Sequence, residues 1–166
     1  LQKKIDLLKQ AFPENSLHTS AVKANPLVKV LEKIKDLNMG LEVASEGEIF
    51  LAQKTGFNPD VIVFDSPVKT ESELKLALKN DYHINADSFM ELERIDKILK
   101  NNRSKSNIGL RLNPQVGIGK IESTSVAGVY SKFGIPINNY KDEIIQSFKK
   151  YDWLQGLHIH IGSQGC

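Results

Sequence analysis

Side chains capable of chemistry recur along this chain at regular places. Lys23 lies near the end of an apolar run from His18 to Ala24, and Glu42 lies within a second from Leu41 to Ala44. Asp65 follows a third run, Val61 to Phe64, and Asn85 and Asp87 mark the end of a fourth that starts at Tyr82. Arg111 and Asn113 lie in and just after Ile108 to Leu112, and His158 and His160 lie in Leu154 to Ile161. The set supplies an amine nucleophile, carboxylates, a guanidinium and two imidazoles. Charges placed inside strands are costly unless paired, so the pattern favours a site for a polar, anionic ligand. Singly, each residue also has an ordinary reading. Lys23, two residues before Asn25-Pro26, reads as a surface lysine; Asp65 can cap a turn; Glu42 can pair with a neighbouring lysine. His158 and His160 alternate to one strand face and suit a zinc pair, but a zinc site normally needs a third protein ligand. His18 and His83 stand alone and Cys166 is the only cysteine, so no metal is expected.

Elements of a definite kind must position these groups. The six apolar runs are short and strand-like, and helical patterns separate them. Leu1 to Ala11 reads as a helix, broken by Phe12-Pro13-Glu14-Asn15. Pro26 opens the next, since proline is tolerated in a first helical turn. Ser45 with Glu48, and Thr70 with Glu73, have the spacing of capping boxes. Asp87 or Ser88 caps a helix carrying Leu92, Ile95 and Leu99, and Tyr140 to Tyr151 forms the last helix. Strands alternating with helices imply a parallel sheet, because parallel neighbours need a crossover. A doubly wound open sheet and a (β/α)8 barrel both fit; six strands fall short of the eight that close a barrel. Gly117 to Gly134 is one long irregular segment, of the kind that often carries function.

Composition narrows the class. The chain has 166 residues, 40% hydrophobic and 25% charged, with a formal charge of +2. That balance argues against a dedicated nucleic-acid surface, and the basic stretch at Lys100, Arg103 and Lys105 reads as a solvated loop. No apolar run approaches the roughly 20 residues of a membrane helix. A reducing, cytoplasmic setting is expected from the cysteine usage. There is no Walker loop, dinucleotide fingerprint or Gly-x-Ser-x-Gly elbow. The start without Met, and the end directly after a strand-like run, read as those of a fragment.

Five motifs in order resemble a known family. Ala21-Val22-Lys23-Ala24-Asn25-Pro26 is similar to the cofactor-lysine motif of the fold-type III decarboxylases that use pyridoxal 5'-phosphate (PLP), the group of diaminopimelate, ornithine and arginine decarboxylases. Gly40-Leu41-Glu42-Val43-Ala44-Ser45-Glu46-Gly47-Glu48, Arg111-Leu112-Asn113-Pro114, Ser131-Lys132-Phe133-Gly134-Ile135 and His158-Ile159-His160-Ile161-Gly162-Ser163-Gln164 follow in that family's order. The likeness is greatest to the diaminopimelate decarboxylases, and it implies a basic or diamino amino acid as substrate, in amino-acid biosynthesis such as that of lysine. It implies a partial (β/α)8 TIM-like barrel of the alanine racemase-like type, about six of eight strands present. Residues 1–166 would be part of a PLP-binding barrel domain, without the family's C-terminal β domain. By the same resemblance, Lys23 would hold PLP covalently and then yield it to the substrate amine. His160 would stack on the cofactor ring, Ser163 would bind its phosphate, and Glu42 would face it. Arg111 would orient the ring or the histidine, and Ser131 to Gly134 would lie near the substrate entrance. A homodimer is implied for the full-length protein, and no catalysis for residues 1–166 alone. An open barrel would expose strand edges and favour self-association. A PLP-barrel racemase and a non-catalytic decarboxylase-like regulator are the alternatives; a regulator of that kind typically lacks the lysine, which is present here.

Overall fold

The computed structural model describes residues 1–116, 127–128 and 131–160. Two compact units divide the chain, Leu1–Phe64 and Asp65–Cys166. The first opens with helix α1 (Gln2–Ala11), which buries Ile5. Strand β1 (Thr19–Ala21) runs into a single 3-10 turn, Val22–Ala24. Helix α2 (Val28–Asp36) buries Leu31 and Ile34 and leads to β2 (Gly40–Val43). Helix α3 (Glu46–Lys54) precedes β3 (Ile62–Asp65), whose last residue belongs to the second unit. β1, β2 and β3 pair in parallel, with Ser20 beside Leu41 and Glu42 beside Val63. Leu41, Val43, Ile62 and Phe64 are fully or almost fully buried and form the core of this sheet. Gly40 is needed where β2 passes a second 3-10 turn, Pro59–Val61, just before β3: a Cβ there would collide with the Val61 carbonyl.

The second unit continues the alternation with α4 (Glu71–Lys79), β4 (His83–Ala86), α5 (Phe89–Leu99) and β5 (Ile108–Asn113). A two-residue strand, β6 (Ile135–Pro136), then leads into α6 (Ile137–Lys150) and β7 (Leu154–Ile159). β5 is the axis of this unit. It pairs in parallel with β4, β6 and β7, and all six of its residues are buried. Ile84, Ala86, Leu92, Ile95 and Leu110 pack its core.

Several boundaries differ from the sequence reading. The first strand ends at Ala21, so Lys23 sits in the 3-10 turn beyond it. Pro26 does not open α2; the helix begins at Val28, after Leu27 gives its N–H to the Asn25 side chain at 3.2 Å. β6 is an extra element that is too short to show periodicity. The last helix starts at Ile137 rather than Tyr140, and Tyr140 itself breaks the helical backbone. Much of the expected irregular segment 117–134 lies outside the described residues, as does Ser163. Among the described residues, no helix is long and apolar enough to cross a membrane.

Candidate functional site

In the first unit, chemistry converges where β1 ends. The 3-10 turn closes through Asn25 N–H and the Val22 carbonyl at 3.0 Å and holds Lys23 at its centre. Strand register places Ala21 beside Glu42. The Lys23 Nζ accordingly meets Glu42 Oε1 at 3.4 Å, with 60% of the lysine side chain and 27% of the glutamate side chain exposed. This primary amine is open to a ligand and has a carboxylate in contact. Such a pair suits covalent capture of a carbonyl compound: the neutral amine is the nucleophile, and the adjacent carboxylate holds its nitrogen in place. A pyridoxal aldehyde is a group of that kind.

A denser cluster occupies the strand ends of the second unit. Arg111, from the middle of β5, donates through Nη1 to Asp65 Oδ2 at 3.0 Å. Its Nε lies 3.7 Å from Asp87 Oδ1, and all three side chains are 6% exposed. The guanidinium stacks over the Phe133 ring, 4.6 Å from its centroid. Asp87 Oδ2 also accepts the Gly134 backbone N–H at 3.2 Å. Gly134 has φ +69°, and a Cβ there would crowd the β5 backbone at Leu112, so only glycine serves well at this corner. His158 Nδ1 comes within 3.4 Å of Asp65 Oδ1.

Beneath this cluster lies a buried ion pair. Lys69 Nζ, with its side chain fully buried, donates to Glu91 Oε2 at 2.8 Å and to the carbonyls of Ser66 at 2.8 Å and Asn85 at 2.6 Å. Glu91 Oε2 also accepts the Asp87 N–H at 2.7 Å. Three carboxyl groups (Asp65, Asp87, Glu91) thus face two basic side chains (Arg111, Lys69). Burial pushes the Asp87 carboxyl up to about 6. The Gly134 hydrogen bond, Arg111 and Lys69 oppose this rise, and Asp65 adds to it. Asp65 Oδ1 and Asp87 Oδ1 accept no hydrogen bond among the described residues. The surplus of negative charge works against binding an anion here. Arg111 is matched by its own carboxylates, so it can orient a neighbour better than it can bind a free anion.

The residues singled out in sequence thus fall into two groups, one in each unit. Lys23 and Glu42 meet in the first. In the second, Arg111, Asp65, Asp87 and His158 meet, and His160 follows β7 half-buried. Asn113, at the end of β5, is buried and donates to the Gly128 carbonyl at 2.9 Å, so it fastens a loop. Asp65 does not act as a turn cap; its carboxylate is committed to Arg111. Lys69 and Glu91 escaped the sequence reading. Lys69 sits in a Pro-Val-Lys-Thr stretch before a helix cap, where lysine ordinarily points to water. The available signal for Glu91 was its place three residues after Ser88, the spacing of Ser45 and Glu48.

Short parallel strands joined by helices, with polar groups at their carboxyl ends, are the pattern of parallel α/β folds, the partial (β/α)8 barrel among them. The chain belongs to the pyridoxal-dependent decarboxylases: the family's pyridoxal binding domain matches residues 1–166. It is 35% identical over 157 residues to the diaminopimelate decarboxylase of Bacteroides thetaiotaomicron, covering 92% of this chain and 40% of that protein. A solved structure of Helicobacter pylori diaminopimelate decarboxylase complexed with L-lysine superposes with a TM-score of 0.85 at 32% identity, over 99% of this chain and 43% of that one. The Paramecium bursaria Chlorella virus arginine decarboxylase bound to agmatine gives 0.74 at 26% identity, over 98% of this chain and 41% of that one. The chain spans about two-fifths of the length of the curated relatives it matches.

Proposed function

We propose that Lys23 is the cofactor-attaching lysine of a PLP-dependent decarboxylase acting on a basic or diamino amino acid, with diaminopimelate favoured. The observation that carries this reading is the exposed Lys23 amine held against Glu42 at the end of β1, in a chain that matches a pyridoxal binding domain along its whole length. PLP, when bound, supplies an electron sink for the carbanion left as CO2 departs. The chain's own residues then have separate tasks. Lys23 attaches the cofactor and Glu42 steadies the amine. His160 would lie against the ring and Ser163 would take the phosphate; Arg111, already fixed by two carboxylates, would orient rather than neutralise. The activity belongs to a protein of the relatives' full length, of which residues 1–166 form part of the cofactor-binding barrel domain. A homodimer working in the cytoplasm on a small-molecule amino acid completes the reading.

The test uses the full-length protein. PLP is added and the visible absorbance of lysine-bound cofactor is followed, for wild type and Lys23→Ala. Wild type should develop the band and the variant should not. An unchanged spectrum in Lys23→Ala would sink the assignment. A substrate panel of diaminopimelate, ornithine and arginine, read as CO2 release, then ranks the substrates.

A further inference from the structure

We infer that Asp87 is a positioning residue, whose carboxylate ties the Arg111 guanidinium to the Gly134 backbone and so holds the 131–134 segment in register with the strand-end cluster. The inference rests on the proposed role of Arg111 toward the cofactor, but its geometry stands independently. Asp87 precedes the Ser88 cap of α5, and its own N–H is fixed by Glu91, so its side chain projects from a rigid junction. One oxygen accepts from Gly134 at 3.2 Å; the other lies 3.7 Å from Arg111 Nε. Phe133, the residue before Gly134, carries the face on which Arg111 stacks. The guanidinium and the 131–134 segment are therefore held twice, once through Asp87 and once through the ring. Asp65 accepts from the far side of Arg111, and among the described residues it is Asp87 that accepts the Gly134 N–H, so Asp87 joins the two.

The charged groups facing Asp87 are Arg111 from β5, Lys69 and Glu91 from the buried pair, and Asp65 from β3, with His158 behind Asp65. Burial and Asp65 resist its ionisation, and Arg111, Lys69 and the Gly134 amide support it. The clamp is thus strongest with Asp87 ionised and weakens as pH falls through about 6.

Hydrogen exchange of the peptide spanning residues 131–134, in the full-length protein without cofactor, tests this. At pH 7.5 the Asp87→Asn and Asp87→Ala variants should both exchange faster than wild type, by about fivefold or more, with Asp87→Ala the faster. At pH 5 wild type and Asp87→Asn should converge, because both then carry an uncharged group. A general loss of packing would give the same ratio at both pH values. In parallel, PLP affinity at pH 7.5 should fall about tenfold in Asp87→Asn. If Asp87→Ala does not fold, the Asp87→Asn comparison decides. Equal exchange in wild type and Asp87→Asn at pH 7.5, or a difference that persists at pH 5, overturns the inference. Wild-type protein that binds no PLP overturns the cofactor reading instead and leaves the exchange result to judge Asp87.

Discussion

Lys69 and Glu91 show what a buried charge does in this molecule. Both are enclosed, and the amine donates to the Glu91 carboxylate and to the carbonyls of Ser66 and Asn85. Ion pairs of this kind add little net stability over an apolar pair, but losing one partner leaves the other unpaired in a poor solvent. Lys69→Met is therefore expected to cost about 3–5 kcal/mol, read as a lowered denaturant midpoint of the full-length protein. Glu91→Gln should cost less, because the amide oxygen can still accept from Lys69 and from the Asp87 N–H. Equal losses in the two variants would mean that the Glu91 charge, and not its acceptor, is what matters. Lys23 is the contrasting case: its amine is mostly exposed, so Lys23→Ala should leave the midpoint nearly unchanged while abolishing cofactor capture.

Helix caps set the angle at which strands deliver these residues. Thr70 forms a full reciprocal box with Glu73: the Thr70 hydroxyl accepts the Glu73 N–H at 3.2 Å, and Glu73 accepts the Thr70 N–H at 2.8 Å. Thr70→Ala should cost about 1 kcal/mol, seen as a modest drop in melting temperature. These caps were legible in sequence, and so was each of the six longer strands, because apolar runs and Ser-x-x-Glu spacing are local signals. The Ser45 junction differs in one detail: Glu48 accepts the N–H of Ala44, one residue before the cap, at 2.7 Å. Tertiary partnerships were less visible. Arg111 stood out as a charge in a strand, but nothing local tells that Asp65, 46 positions away, is its partner. The joint role of Asp87 and Gly134, 47 positions apart, was equally hidden. β6 was missed because two residues carry no period. Glu42 could be expected to pair with some neighbouring lysine, but that the lysine is Lys23 follows only from the parallel register that sets Ala21 beside Glu42.

At the scale of the whole molecule, the raised Asp87 carboxyl links stability to pH. Its folded value of about 6 lies above the ordinary 3.8. A raised carboxyl contributes stability that is fully present below the ordinary value and is lost as pH rises through about 6. The rise corresponds to on the order of 3 kcal/mol. Wild type should gain less from moving to pH 7.5 than Asp87→Asn does, and the variant should melt higher at that pH; a lower melting temperature for Asp87→Asn at pH 7.5 would refute the sign. A group kept ionised against its own folding preference is a trade of stability for position. The paired junctions at Ala44-Ser45 and Asp87-Ser88 extend this point. In both, a serine caps the helix and a glutamate three residues on fastens the N–H just before the cap. The backbone there is specified twice over by the serine and glutamate, which leaves the side chain before the cap free to vary. Alanine occupies that position in one junction and a cluster-forming aspartate in the other. For an engineer, this is a mounting point with the fastening separated from the tool: Ala44 can be exchanged for other small or polar residues, and new chemistry introduced, without rebuilding the helix that carries it.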